Sequence, residues 1–164
     1  MSSTKSAEAG RLRRWLPVLG WAALISTFST QWFSNEQTGH VLLPLLHWML
    51  PGLHPSTLHT VHEGVRKSGH VSEFFVFSLL LDRTLRAEGW TPRAAACGAA
   101  LFAIVFAALD EIHQLFVPGR TAAVSDVGVD ALGAIAAQLL LTVRRQLGLA
   151  TPAGSPPPDP VGVH

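Results

Sequence analysis

Charge is scarce in this chain. Of its 164 residues only 14% are Asp, Glu, Lys or Arg, where soluble domains carry about a quarter. Cysteine is almost absent: Cys97 stands alone, which excludes an internal disulfide framework and a cysteine-built metal site. Lying in an alanine-rich run, Cys97 reads as a small packing residue of a helix. The formal net charge is +1, and no basic face points to nucleic acid as a partner. Hydrophobic residues make up 48% of the chain, and the mean hydropathy is +0.31 despite two polar ends. The basic residues cluster at the ends of apolar runs, which is the pattern of membrane topology. The length suits one domain.

Residues 1–10 are small and polar and read as a disordered tail. Arg11, Arg13 and Arg14 then precede a charge-free run over 15–33, long enough to cross about 30 Å of hydrocarbon. A cleaved signal peptide is the competing reading; the run is long for a signal core and no clear small-x-small site follows, which favours an uncleaved first span. Within the loop 34–66, the apolar stretch 41–50 is too short to span and carries Pro44 and Pro51. It fits an interfacial or re-entrant segment, with Trp48 at the interface. A helix is expected from Pro55, capped by Ser56 or Thr57. It leads into a second span over about 68–86. Gly89 and Pro92 break the next connection. Spans over about 94–117 and 126–143 follow, the last rich in Gly and Ala that permit close helix approach. Residues 148–164 are proline-rich and read as a disordered tail. The fold expected is therefore all-α: a four-transmembrane-helix bundle over 11–147, with an extra interfacial or re-entrant helical segment in the first outer loop.

Orientation follows from the basic clusters. Arg11, Arg13 and Arg14, then Arg83, Arg86 and Arg93, then Arg144 and Arg145 all fall on one side. The positive-inside bias places that side, with both termini, in the cytoplasm of a plasma-membrane protein. Arg66, Lys67 and Arg120 lie on the outer side against the bias, which makes them candidates for function rather than anchoring.

The ionisable residues inside the spans converge on the outer layer. His70 and Glu73 begin the second span. Asp110, Glu111, His113 and Gln114 end the third. Asp126 and Asp130 begin the fourth. Such residues are costly in a membrane, face the bundle interior and are functional by default. On the third span Asp110, His113 and Gln114 share a face, with Glu111 turned about 100° away. Asp126 has a second reading, as a carboxylate capping the start of its helix. His40, His47, His54 and His59 read as interfacial or solvent-facing residues rather than metal ligands. The Phe74, Phe75 and Phe77 stripe reads as packing or lipid-facing surface.

These residues carry a resemblance. Phe28-Ser29-Thr30-Gln31, Arg66-Lys67-Ser68-Gly69-His70 with Glu73-Phe74, Asp110-Glu111-Ile112-His113-Gln114, Pro118-Gly119-Arg120, and Ser125-Asp126 with Asp130 and Gly133 together resemble the VanZ-like membrane proteins over about residues 15–145. The loop at 34–66 is less typical of that family. The resemblance implies a four-span bacterial membrane protein linked to the cell envelope, since the family's named member lowers sensitivity to the glycopeptide antibiotic teicoplanin. It implies no reaction.

Three readings of function stay open. In the first, an outward-facing polar pocket binds an anionic envelope component, a lipid-linked phosphate or wall-precursor headgroup. Arg66, Lys67 and Arg120 would meet the anion, and Arg120 could do so with two prongs. His70, Glu73, Asp110, Glu111, Gln114, Asp126 and Asp130 would complete the ligand-binding set. In the second, an enzyme of the same layer draws on His70, Glu73, Asp110, Glu111 and His113 for acid–base work, or on His70, Glu73, Asp110 and His113 as metal ligands. Asp-Glu-Ile-His-Gln departs from the H-E-x-x-H zinc pattern, so no metal or cofactor is assigned. In the third, buried ion pairs such as Glu73 with Arg66 or Asp126 with Arg120 only fix helix order in an assembly protein.

Overall fold

The computed structural model describes residues 2–30, 35–118 and 123–149, and among these every regular element is a helix. The five are α1 (Ser2–Phe28), α2 (Asn35–Met49), α3 (Pro55–Ala87), α4 (Pro92–Gln114) and α5 (Val124–Gln146). α1 begins within the stretch expected to be a polar tail and runs on through Pro17. The tail from 150 onward lies outside the described residues.

Local chemistry sets the ends. Pro55 occupies the first turn of α3, where its missing N–H costs nothing, and His54, rather than Ser56 or Thr57, is the capping residue, its ring accepting from the Ser56 amide. Thr91 caps α4 in front of Pro92, its Oγ1 accepting from the Ala94 amide at 3.3 Å. Both carboxyl ends of α3 and α5 are followed by glycines with positive φ, Gly89 and Gly148, which stop helices readily. The stretch expected to be interfacial or re-entrant falls in α2, a 15-residue helix that continues through Pro44. The stretch expected to be a second span and the histidine-bearing stretch before it form one continuous helix: α3 has 33 residues, about 50 Å of rise.

α3 is the hub, with α1, α2, α4 and α5 each packing against it, while α4 also packs against α5. The interior is built from small side chains and a few aromatic ones. Ala95, Ala99, Ala103 and Ala107 repeat every fourth residue and form the buried stripe of α4. Phe74 and Phe77 of α3 meet Phe106 of α4, with ring centroids 6.4 and 5.0 Å apart. Two of the three residues of the phenylalanine stripe are thus core, with Phe75 half-buried. Gly133 brings α5 against α3 so closely that a Cβ there would stand 2.2 Å from the Val71 carbonyl oxygen.

The large apolar side chains point the other way. Leu101, Phe102, Val105, Leu109 and Ile112 of α4, and Leu132, Ile135, Leu139 and Val143 of α5, are exposed. Small residues inside and large aliphatic ones outside is the arrangement suited to a lipid solvent. α4 and α5 are each long and apolar enough to cross a membrane.

Polar groups tie the bundle together below its middle. Ser78 of α3 donates to the Ala134 carbonyl of α5 at 3.1 Å, and the Gln138 amide of α5 donates back to Ser78 Oγ at 2.8 Å. At the end where α3 finishes, buried Asp82 receives Arg145 at 2.9 and 2.7 Å through its two oxygens. Glu88 beside it holds Arg14 at 3.1 Å and Arg11 at 3.4 Å. The sequence marks Arg86, Arg145, Arg11 and Arg14 as topology signals; at this end they are also ion-pair partners, with Arg86 3.9 Å from Asp82.

Candidate functional site

The opposite end gathers the ionisable residues. α3 passes through it from Arg66 to Glu73, α4 ends in it, α5 begins in it and α1 reaches it at Ser29. Four elements thus supply one layer. The first contact runs between α3 and α5: Arg66 Nη2 lies 3.5 Å from Asp126 Oδ2, and Arg66 Nε lies 3.7 Å from Glu63 Oε2. One helical turn deeper, His70 Nδ1 lies 3.4 Å from Asp130 Oδ1. The i,i+4 spacing of Arg66 and His70 on α3 matches that of Asp126 and Asp130 on α5, so two rungs form between the same two helix faces. The reading of Asp126 as a helix cap is not what the structure has. The N-cap of α5 is Ala123, and it has no side-chain cap bond.

α4 and α1 meet through Asp110. Its Oδ2 accepts from Ser29 Oγ at 2.5 Å and from Gln114 Nε2 at 2.9 Å. Glu111 points to the start of α5 and accepts a hydrogen bond from the Ala123 amide. The end of α4 thereby supplies the N-terminal acceptor that α5 lacks in its own sequence.

The face assignment on α4 is corrected by this packing. The sequence groups Asp110 with His113 and Gln114 and turns Glu111 away. The structure buries Asp110, Glu111 and Gln114 and exposes His113. With Asp110 at 0°, Gln114 sits at about 40°, Glu111 at about 100° and His113 at about −60°. α4 packs against both α3 and α5, so its buried arc is wide enough to take Glu111 and leaves His113 outside.

The layer behaves electrostatically as one cluster. Glu111 is within Coulomb reach of Asp110, Asp126 and Asp130. Asp130 is within reach of Asp110, Asp126 and His70. His70 also feels Glu73 and Arg66. Glu73 is half-buried, and its backbone carbonyl accepts from the Trp21 indole at 2.9 Å, which fastens α1 to α3. Lys67 is exposed. Arg120 and Gln31 lie outside the described residues.

Among the described residues carboxylates outnumber cations here. Glu63, Glu73, Asp110, Glu111, Asp126 and Asp130 stand against Arg66, with exposed Lys67 at the edge. Burial of several carboxylates together raises the cost of every one left without a donor, and the pairs and hydrogen bonds above offset part of it. Three buried polar atoms of the rungs still lack a hydrogen bond: Arg66 Nε, His70 Nδ1 and Asp130 Oδ1. The metal set His70, Glu73, Asp110 and His113 is not assembled. Among the described residues no three His, Cys, Asp or Glu side chains come together as ligands.

Sequence reasoning left out of the site Ser29, Glu63 and the Ala123 amide. Ser29 carried a signal, as a hydroxyl among the polar residues that end the first apolar run. Glu63 also did, standing three residues before Arg66 on one helix. The Ala123 amide is a backbone group and has no sequence signature.

No curated protein and no solved structure matches this chain. One family model does, that of VanZ/LLP1, over residues 14–145. Those residues include the layer and the parts of all four helices that build it, and the chain belongs to the VanZ/LLP1 family.

Proposed function

We propose that this VanZ/LLP1 protein crosses the plasma membrane four times with both termini in the cytoplasm, and that its outer polar layer binds the headgroup of an anionic, lipid-linked or wall-precursor component of the envelope. Support for the spans is the length and apolarity of α4 and α5, the exposed large aliphatic residues around them and the charge-free run of α1 from Trp15. Support for the orientation is the arginine distribution. Carboxy-terminal reporter fusions should be active only in the cytoplasmic form; a periplasmically active fusion would reverse the orientation.

The observation that carries the binding reading is the convergence of Arg66, His70, Asp126 and Asp130 in one layer, where Arg66 Nε, His70 Nδ1 and Asp130 Oδ1 are buried and held only by ion-pair contacts of 3.4 and 3.7 Å. Contacts of that length leave buried polar groups short of full hydrogen bonds. A headgroup that gives phosphate or carboxylate oxygens to Arg66, and a hydroxyl or amine to Asp130, satisfies them together. The excess of carboxylates makes a headgroup with both anionic and donor groups a better complement than a bare anion. Lys67 at the edge, and Arg120 in the neighbouring connection, add to the attraction for the anion. A change in glycopeptide sensitivity would follow from sequestering such a component.

A second reading is favoured by one contact. A carboxylate 3.4 Å from His70 Nδ1 is the arrangement that orients a general base, so His70 with Asp130 suits acid–base chemistry on an envelope lipid or wall precursor.

The test is teicoplanin susceptibility of a host expressing Arg66→Gln, His70→Gln or Asp130→Asn, scored beside membrane abundance. Binding requires the phenotype to vanish at normal abundance in Arg66→Gln and Asp130→Asn. Normal phenotype in both variants would leave only the role of the pairs in holding helices together.

A further inference from the structure

A hollow of about 270 Å³ lies at the other end of the bundle from the polar layer, where α1 packs on the last two turns of α3. Its lining includes Arg13, Arg14 and Pro17 of α1 and Leu80, Arg83 and Thr84 of α3. Three guanidinium groups thus share it, with no carboxylate among them, over an apolar floor of Pro17 and Leu80.

The three arginines differ in what they already hold. The carboxylates where α3 ends are Asp82 and Glu88, and both are taken: Asp82 by Arg145 and Arg86, Glu88 by Arg14 and Arg11. Arg14 is fixed further, since its carbonyl accepts from Thr84 Oγ1 at 3.1 Å, which holds α1 against α3 beside the hollow. Arg13 and Arg83 are exposed. Among the described residues neither forms an ion pair, with Glu8 of α1 or with any other carboxylate. Like charges lining one hollow repel each other, and an anion between them reverses the sign of that interaction.

Depth selects the kind of anion. Arg14 directly precedes the charge-free run of α1, and Arg83 comes two residues after the charge-free stretch 74–81 of α3. Trp15 and Trp90 stand at the same end, as tryptophans do at a membrane interface. Lipid phosphates lie at that level, and basic pockets between helices take such headgroups. The floor of Pro17 and Leu80 leads from the charges to the apolar part of both helices. A soluble anion gains from the charges alone, whereas a lipid gains from the charges and the floor.

We propose that this hollow holds the phosphate of an anionic membrane lipid, bridged between Arg13 and Arg83, in the leaflet at the arginine-rich end. The inference rests on the reading that α1 and α3 cross a membrane, and its site is separate from the outer layer.

The experiment uses the full-length protein, purified in detergent and exposed to equal amounts of phosphatidylglycerol and phosphatidylcholine in mixed micelles, with retained lipid counted by native mass spectrometry. Both lipids carry a phosphate, and only phosphatidylglycerol keeps a net negative charge. It should be retained in roughly thirtyfold excess, about fivefold for each of the two arginines. Arg13→Gln with Arg83→Gln should bring the ratio close to one, and the fold should hold because both side chains are exposed. Arg93→Gln with Arg144→Gln is the control. It removes two exposed arginines from the same end but outside the hollow, and should leave the ratio unchanged. Inorganic phosphate in excess should not displace the lipid. Equal retention of the two lipids by the unaltered protein overturns the proposal. So does an equal fall in both double variants, which would reduce the preference to diffuse charge, or displacement by inorganic phosphate, which would assign the hollow to a soluble anion. Retention in micelles depends neither on orientation nor on the outer layer, so this proposal and the readings tested by reporter fusions and teicoplanin susceptibility can each fail alone.

Discussion

Gly133 of α5 lies directly against the backbone carbonyl of Val71 on α3, where a Cβ would come within 2.2 Å of the oxygen. Val71 follows His70, and Gly133 comes one turn after Asp130. This contact is what brings His70 and Asp130 within 3.4 Å of each other. A close approach of α5 to α3 and the deeper ion pair of the polar layer are one structural feature.

Gly133→Ala is therefore expected to push α5 away from α3. The obstructing atom is backbone and cannot rotate aside, so the cost should reach at least the 1–3 kcal/mol typical of overpacking, roughly. Gly128→Ala, with nothing within 4 Å of a Cβ, should be neutral or slightly stabilising through better helix propensity. Unfolding of the purified protein in mixed detergent gives both numbers. Equal stability of the two variants would contradict the close approach.

The two rungs between α3 and α5 make a coupling prediction. His70→Ala and Asp130→Ala should be non-additive, with an interaction energy of about 0.6–2 kcal/mol, the range for polar contacts between membrane helices. Arg66→Ala with Asp130→Ala should show less coupling, since Arg66 pairs with Asp126 and Glu63. A double-mutant cycle by the same unfolding measurement decides it. Additivity at His70 and Asp130 would mean the pair contributes nothing to the fold.

The other end of the bundle depends on Arg145. Its guanidinium bonds both oxygens of Asp82, which is 2% exposed. Arg145→Ala leaves buried Asp82 with the longer contact to Arg86 at 3.9 Å, and breaking a buried pair costs about 3–5 kcal/mol when no partner replaces it, so the loss should fall at or below the lower end of that range. Adding Asp82→Asn should recover much of the loss by removing the stranded charge. Membrane abundance and detergent resistance report both steps. A single variant as stable as the unaltered protein would show that water already solvates Asp82.

Much of this was legible in the sequence, for identifiable reasons. The helical class and the apolar runs follow from composition and run length, which act locally. Convergence of His70, Asp110, Glu111, Asp126 and Asp130 follows from topology, because charges near the same ends of antiparallel segments must meet. The face of α4 was not legible. Periodicity gives angles about one helix axis, but which arc is buried depends on how many neighbours that helix has, and α4 has two broad ones. Pairing was also out of reach: Arg66 takes Asp126 and Glu63, and Asp82 takes Arg145 from 63 residues away. Such choices are set by helix rotation and depth, which the sequence specifies only through the whole core.

Glu111 separates structural charge from functional charge. Its carboxylate accepts from the Ala123 amide at the start of α5, and it sits within reach of Asp110, Asp126 and Asp130, all of like sign. Glu111→Gln keeps an acceptor oxygen for the amide and removes the repulsion, so its stability should equal or exceed that of the unaltered protein. Glu111→Ala loses the acceptor and should cost about 0.5–2 kcal/mol, the value of a helix amino-terminal cap. Unfolding measurements on the pair test the cap, and Gln matching Ala would refute it. The phenotype of the stable Gln variant then reads the charge alone. If teicoplanin sensitivity shifts in Glu111→Gln while stability and abundance hold, the carboxylate serves the ligand. If nothing shifts, its work is finished once α5 has been started.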